Sequence, residues 1–119
     1  LGDVYKRQTG GRKLHCSFYQ RSGDVGLGIP FNIASYAMLT HLLAHHCGLE
    51  AGELYHTIGN AHIYEQHVAG LRMYLGRDEG LPPTISFGER KDVIDDYQED
   101  DFLIRGYKPG PPLKLPMIA

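Results

Sequence analysis

The sequence predicts an α+β fold, in which part of a mixed sheet packs against one long buried helix and shorter helices. Three patterns support this prediction. Residues 14–21 suit the period of two that places alternate side chains on opposite faces of a strand. Apolar residues over 32–47 recur at intervals of three and four, which is typical of an amphipathic helix. Glycine- and proline-rich stretches then separate short segments that favour strands.

Composition limits the classes of protein to which this chain can belong. Its 119 residues correspond to one domain or less, and 42% hydrophobic with 22% charged residues is ordinary for a soluble globular protein. A formal net charge of −2 excludes a broad basic surface, so we expect no DNA partner. No apolar run is long enough to span a membrane, and neither a secretory signal nor a disulfide framework is visible. We therefore expect no membrane partner and a cytoplasmic location, with nuclear or mitochondrial pools as alternatives.

The elements are predicted in chain order from local signals. A first strand starts near Lys13 and ends at a glycine-rich turn after Arg21. The long helix follows over 32–47, with Pro30 just before its start and Gly48 as its terminating residue. The later elements are shorter: a strand over 54–58, a helix over 65–77 with Val68, Leu71 and Leu75 on its buried side, a strand over 84–87, an acidic turn or short helix over 92–101, a strand over 102–106 and an extended proline-rich tail over 107–116.

Several segments, found in order, resemble one known family. Residues 20–24 (Gln-Arg-Ser-Gly-Asp) and 28–36 (Gly-Ile-Pro-Phe-Asn-Ile-Ala-Ser-Tyr) are similar to the nucleotide-binding core of the thymidylate synthase family. Residues 59–64 (Gly-Asn-Ala-His-Ile-Tyr) look like its ribose-contacting segment. Residues 102–109 (Phe-Leu-Ile-Arg-Gly-Tyr-Lys-Pro) resemble its last strand.

The resemblance covers residues 13–119 and implies the C-terminal part of a thymidylate synthase domain, with a partial thymidylate synthase-like fold. Residues 1–12 match nothing in the family and are interpreted as a non-family or mis-joined leader, with a divergent strand as the alternative. The implied reaction is the reductive methylation of deoxyuridylate (dUMP) to thymidylate (dTMP). The implied co-substrate is 5,10-methylenetetrahydrofolate, with no metal. The implied partners are dUMP, folate and, in the full-length protein, a second copy in a homodimer.

The nucleophile that the family requires is not found in these 119 residues. In the family, a cysteine thiolate from a Pro-Cys-His segment adds to C6 of the base. By resemblance this segment would fall at or before residue 1, and it is absent from the sequence. We therefore expect a fragment that has no catalytic residue of its own and is inactive alone. A non-catalytic dimerising paralogue that keeps the fold is the alternative.

The turn after the first strand contains the candidate phosphate ligands. The guanidinium of Arg21 can hold two phosphate oxygens at once, and Ser22 offers a hydroxyl and a backbone N–H. The resemblance adds Gln20 and Gly23 to this dUMP-binding segment. Without the resemblance, Arg21 would be an ordinary surface arginine and Ser22 a turn serine.

Asn32 is the candidate for base specificity, and Asp24 is the candidate for folate binding. The amide of Asn32 can accept from N3–H and donate to O4 of uracil, whereas cytosine reverses this pattern. The resemblance supports dUMP, because the deoxycytidylate-modifying relatives carry aspartate at this position. The alternative for Asn32 is a helix N-cap. By resemblance Asp24 faces the folate pterin within the dUMP site, and its alternative is a turn aspartate.

The segment from His62 to Tyr64 is the candidate ribose site. His62 and Tyr64 are two residues apart, so in an extended segment they project to the same side, with Ile63 between them. The alternative is a packed aromatic ring and a surface histidine. Three positions depart from the family pattern, and one of them is Gly110, where the family commonly has a histidine. Asn60 replaces the usual aspartate, and Ile118 replaces a small penultimate residue that contacts the folate in the family.

The cysteines and histidines have simpler interpretations than catalysis or metal binding. Cys16 and Cys47 are interpreted as core residues, because neither has a nearby cation, base or helix N-terminus to stabilise a thiolate. His41 and His45 have the i, i+4 spacing of zinc ligands, but no acidic third ligand follows at a recognised interval. We interpret them as surface or interface residues.

Overall fold

The computed structural model describes residues 12–118 and has an α+β architecture, which confirms the predicted fold class. We number its elements in chain order. They are β1 (Lys13–Asp24), α1 (Ile29–His46), β2 (Glu50–His62), α2 (Glu65–Leu75), β3 (Thr84–Ser86), two short 3₁₀ helices (Ile94–Asp96 and Glu99–Asp101) and β4 (Leu103–Arg105). No helix among the described residues has the length and apolar character needed to cross a membrane.

The strands form two separate pairs within residues 12–118. Strands β1 and β2 are parallel, with α1 as the crossover that a parallel pair requires. Strands β3 and β4 are antiparallel, with Ile85 opposite Ile104. Because β1 and β2 run in the same direction, their carboxyl ends lie at one edge. The register at this edge pairs Gln20 with Ile58, Ser22 with Asn60, Gly23 with Ala61 and Asp24 with His62.

Helix α1 begins three residues earlier than predicted and ends at His46, one residue before the predicted end. Gly28 occupies the N-cap position, and Pro30 lies in the first turn, where its missing N–H costs nothing. At the other end, Gly48 has a φ of +68°, in the left-handed region that favours glycine.

The long helix is buried on one side only. Thr40 and Ala44 are its buried residues, whereas Ile33, Tyr36 and Leu39 keep between 39% and 45% of their surface exposed. The sequence predicted burial on most sides of this helix, and the structure shows less burial than that.

The region after α2 packs against the carboxyl end of α1 through aromatic rings. The ring of His45 stacks on Phe87 with centroids 5.0 Å apart, and Phe87 meets Phe102 edge to face at the same distance. His45 therefore has a packing role. Among residues 12–118, histidine, cysteine and acidic side chains form no group of three that could hold a metal ion.

Candidate functional site

The sequence-predicted site residues converge at the carboxyl edge of the β1–β2 pair. The backbone N–H of Val25 donates to the carbonyl of His62 at 2.9 Å, which joins the turn after β1 to the segment after β2. Arg21 and Ser22 are exposed at this edge. The Arg21 side chain is exposed, and no ion pair joins its guanidinium to another of residues 12–118.

The side chains of Gln20 and His56 fix the orientation of the Asn32 amide. Gln20 Nε2 donates to Asn32 Oδ1 at 2.9 Å, and Gln20 Oε1 lies 2.8 Å from His56 Nε2. An amide oxygen only accepts hydrogen bonds, so His56 Nε2 must carry a hydrogen. The Ser22 carbonyl, which accepts from Gln20 Nε2 at 2.9 Å, sets the amide of Gln20, and Gln20 then sets that of Asn32. One lone pair of Oδ1 and the Nδ2 hydrogens of Asn32 remain for a ligand.

His56 is a site residue that sequence reasoning missed. Its ring also stacks on Phe18 of β1, with centroids 4.2 Å apart, and this packing holds the imidazole beside Gln20. The pairing of the two strands is what identifies His56 as a site residue. His56 and Ile58 alternate on one face of β2, opposite Phe18 and Gln20 of β1.

The alternative interpretation of Asn32 as a helix N-cap is wrong. Gly28 is the N-cap residue, and no side chain makes a capping hydrogen bond at this end of α1. Asn32 lies in the first turn, where its backbone N–H donates to the Gly28 carbonyl at 3.0 Å. Its side chain is therefore not used by the helix and is available to Gln20 and to a ligand.

Asp24 stabilises the turn with one oxygen of its carboxylate. Oδ1 accepts hydrogen bonds from the N–H groups of Gly26 at 3.1 Å and Leu27 at 3.4 Å. Among the residues that the structure describes, no hydrogen bond reaches Oδ2, and the side chain is 25% exposed. A turn role and a ligand-binding role are thus compatible, because they use different oxygens.

His62 and Tyr64 lie close together just before α2. Their rings meet edge to face with centroids 5.4 Å apart. His62 Nδ1 lies 3.3 Å from the Asn60 carbonyl, and a hydrogen on Nδ1 leaves Nε2 as an acceptor. The Tyr64 hydroxyl can donate or accept. Ile63, between them, is 53% exposed.

The comparisons with known proteins cover most of this chain. The sequence profile of the thymidylate synthase family matches residues 3–119. The chain belongs to this family. It is 49% identical over 107 residues to a thymidylate synthase from Ascaris suum and 48% identical over 107 residues to one from Homo sapiens. These alignments cover 90% of this chain but 36% and 34% of the relatives, so the chain spans about a third of their length.

The predicted start of the thymidylate synthase domain, at residue 13 of this chain, stays a prediction. The family match begins at residue 3, within the segment interpreted as a non-family leader. Residues 1–11 lie outside the described part of the chain, so the structure does not bear on that interpretation.

Gly23 of this thymidylate synthase chain lies where a side chain would collide with its neighbours. It is buried, and a Cβ at this position would overlap the Ile29 side chain and lie 3.3 Å from Ile58 Cγ2. The glycine therefore lets the start of α1 pack closely on β1 and β2. This places Asn32, one turn into the helix, within reach of Gln20.

His67 is the second residue of the site that sequence reasoning missed. It is fully buried in the first turn of α2, with Nδ1 3.8 Å from Asp24 Oδ1 and Nε2 2.6 Å from the Pro116 carbonyl. The predicted buried side of this helix was partly wrong, because Leu75 is 81% exposed. Ile118 is half-buried near the end of the tail that His67 contacts.

Neither cysteine lies at the carboxyl edge. Cys16 is half-buried near the amino end of β1, and Cys47 is exposed after the last turn of α1. The interpretation of Cys47 as a core residue is therefore wrong. Neither thiol is placed to act on a ligand held between Arg21 and Asn32.

Proposed function

We propose that this chain is the C-terminal part of a thymidylate synthase and carries base, ribose and phosphate contacts of its dUMP site. The full enzyme would reductively methylate dUMP to dTMP, with 5,10-methylenetetrahydrofolate supplying the carbon and the hydride. The observation that carries the proposal is the hydrogen bond from Gln20 to Asn32, which orients one amide at an edge that also holds Arg21 and His62.

In this proposal the Asn32 amide reads the base. Oδ1 accepts from N3–H of uracil with its remaining lone pair, and Nδ2 donates to O4. The Gln20 and His56 side chains oppose a flip of the amide, since a flip would place two donors against each other. Cytosine presents an acceptor at N3 and a donor at N4, so both contacts are lost. A site built in this way can discriminate by about 10⁴-fold.

The phosphate and the sugar bind to the two sides of the same edge. Arg21 forms two parallel hydrogen bonds to phosphate oxygens, and Ser22 adds its hydroxyl. The net charge of −2 means that this anion site depends on local charge alone. His62 Nε2 and the Tyr64 hydroxyl hold a ribose hydroxyl. Asp24 Oδ2 accepts from the pterin, and Ile118 lies on the folate side.

The chemical step needs a nucleophile from outside these residues. The sequence contains no Pro-Cys-His segment, and neither Cys16 nor Cys47 lies at the edge that holds Asn32. In a complete homodimeric enzyme, a thiolate adds to C6 of the base and makes C5 nucleophilic towards the folate carbon. This chain alone orients the nucleotide and does not form the covalent adduct.

A chimera tests the proposal. The chain is joined to the part of the Ascaris suum enzyme that its alignment leaves uncovered, and the chimera and the 119-residue chain are mixed with 5-fluoro-dUMP and methylenetetrahydrofolate. We expect a covalent ternary complex, detected by mass, in the chimera only. A Cys47→Ser chimera is the control and should react normally. An adduct on the chain alone would refute its inactivity, and a folded chimera that fails to bind dUMP would refute the site.

The second candidate is a non-catalytic dimerising paralogue. It is favoured by the exposed apolar residues of α1, including Ile33, Tyr36 and Leu39. This candidate predicts that the chimera dimerises without binding dUMP, so sedimentation and calorimetry on the same sample separate the two functions.

A further inference from the structure

A single buried histidine connects three separate segments of the chain. His67 has 0% of its surface exposed. Its Nε2 lies 2.6 Å from the carbonyl of Pro116, 49 residues later in the tail. Its Nδ1 faces the turn after β1, where Asp24 Oδ1 is 3.8 Å away. The ring of Tyr64 meets it edge to face at 5.6 Å.

The contact with the tail fixes the hydrogen of the imidazole. A backbone carbonyl accepts only, so Nε2 of His67 must be the donor to Pro116. Proline has no N–H, and this hydrogen bond therefore uses the one backbone polar group that Pro116 has. Because the imidazole is completely buried while the tail is docked, the Pro116 carbonyl is the partner that replaces water for its Nε2–H.

Two glycines shape the space in which the histidine and the tail meet. A Cβ at Gly26 would lie 2.6 Å from His67 Nδ1 and 3.1 Å from Leu115 Cδ1. A Cβ at Gly70 would lie 2.7 Å from Leu115 Cδ2. Leu115 therefore packs against both glycines, next to the residue whose carbonyl accepts from His67. The tail docks in a seat with one polar contact, at Pro116, and apolar contacts of Leu115 and Leu113.

We infer that His67 is a positioning residue that fastens the C-terminal tail to the Asp24 turn. The hydrogen bond to the Pro116 carbonyl holds in one position an extended segment that has no secondary structure of its own. It thereby fixes the last residues, including Ile118, relative to the Asp24 carboxylate. The inference rests on the proposed function in one respect, since Asp24 and Ile118 are the proposed folate-side residues. His67 itself does not contact the folate.

A pair of substitutions separates the hydrogen bond from mere filling of space. The amide nitrogen of glutamine reaches about as far as histidine Nε2, whereas that of asparagine reaches only as far as Nδ1. The 119-residue chain is compared as wild type, His67→Gln and His67→Asn. Digestion by a carboxypeptidase and amide-hydrogen exchange at 117–118 report tail docking, and ¹⁵N spectra report the hydrogen on Nε2. We expect His67→Asn to expose the tail about tenfold more and His67→Gln to restore protection.

A second variant keeps the test decisive if the histidine variants fail to fold. Gly26→Ala places a methyl group against the His67 ring and Leu115 while leaving the buried imidazole present. It should release the tail. Gly80→Ala is the matched control, because nothing lies within 4 Å of its added Cβ. Tail protection that is equal in the wild type, His67→Asn and Gly26→Ala would overturn the inference, as would a failure of His67→Gln to protect the tail.

The chimera described above connects the tail to the reaction. There, His67→Asn should raise KM for methylenetetrahydrofolate by about tenfold and leave KM for dUMP nearly unchanged. Equal increases in both constants would overturn the positioning role. A chimera that does not bind dUMP would refute the proposed function, and the digestion and exchange measurements on the 119-residue chain would still decide whether His67 holds the tail.

Discussion

The carboxyl edge of the β1–β2 pair and the outer face of α1 differ in how their side chains are satisfied. At the edge, polar groups find partners within the chain: Gln20 donates to Asn32, and Asp24 accepts from the turn backbone. On the helix face, apolar side chains such as Phe31 and Leu39 keep more than two fifths of their surface exposed. The edge is therefore organised by contacts that this chain already contains, whereas the helix face is not.

The difference follows from how each region gains stability. Each hydrogen bond at the strand edge needs a single partner, which lies in the same turn, on the neighbouring strand or in the first turn of α1. Apolar side chains gain stability only when a large surface is buried against another surface. A large exposed apolar patch on a protein therefore usually marks an interface. The chain spans about a third of its curated relatives, so we propose that the helix face is covered in the whole protein by other residues or by a second copy. Disturbing either region should then have different consequences.

The largest expected effect is on the base that the edge selects. In the chimera, Asn32→Asp should shift the ratio of kcat/KM for dUMP over deoxycytidylate by about 10⁴-fold towards the cytosine nucleotide. A carboxylate can accept from N4 of cytosine but cannot donate to O4 of uracil. Asn60→Asp, the same chemical change two residues before His62, is the control and should leave this ratio unchanged. An unchanged ratio in Asn32→Asp would contradict the proposed role.

A smaller effect is expected from the residue that holds the Asn32 amide. Gln20→Met keeps the side-chain length but can neither donate to Asn32 nor accept from His56. The amide can then flip, and two half-buried partners, Asn32 and His56, lose a hydrogen bond. We expect dUMP affinity in the chimera to fall by about 10- to 100-fold, measured by calorimetry.

The control for Gln20→Met is Ser17→Ala, an exposed position on the same strand. It should bind dUMP like the wild type. If Gln20→Met also binds normally, the hydrogen-bonded chain does not orient the amide, and the edge would be less organised than its contacts indicate.

Packing beneath the edge can be broken without touching a polar group. Gly23→Ala inserts a methyl group into the Ile29 side chain, which must move together with the start of α1. We expect the free energy of unfolding of the 119-residue chain to fall by about 1–3 kcal/mol. Denaturant unfolding measures this change. Gly88→Ala, where nothing lies within 4 Å of the added Cβ, should stay within about 0.5 kcal/mol of wild type.

The sequence predicted those features that depend on near neighbours in the chain. The periodicity of 32–47 and the position of Gly48 were enough for the long helix and its end. Strand β2 was predicted over 54–58 and is longer, at Glu50–His62. Glycines at its two ends weakened the pattern. The structure shows why they are there: Gly52 adjoins the His15 ring, and Gly59 adjoins the Tyr19 hydroxyl.

Features that depend on distant partners were missed. His67 is buried because a tail 49 residues away covers it, and no local period signals that contact. Leu75 was predicted to be buried from its spacing alone, and it is exposed. It is the last residue of α2, beyond the place where Gly70 and Leu115 pack together. The Asn32 N-cap was wrong for a related reason. Pro30 fits inside the first turn, so the helix begins at Ile29 and the cap shifts to Gly28.

The smallest effect on folding is expected on the outer face of α1, where the largest effect on assembly is also expected. Leu39 is 45% exposed, so Leu39→Lys should change the unfolding free energy of the 119-residue chain by only about 0.5 kcal/mol. The charge would nevertheless weaken any interface that covers this face, because a lysine buried without a partner is costly.

Sedimentation of the chimera should therefore show more monomer for Leu39→Lys than for Lys114→Arg, a control on the tail. A chimera that assembles equally well with either change would mean that the apolar face of α1 lies outside the interface. The exposure of apolar side chains on α1, beside an edge whose hydrogen bonds are made within the chain, would then need another explanation.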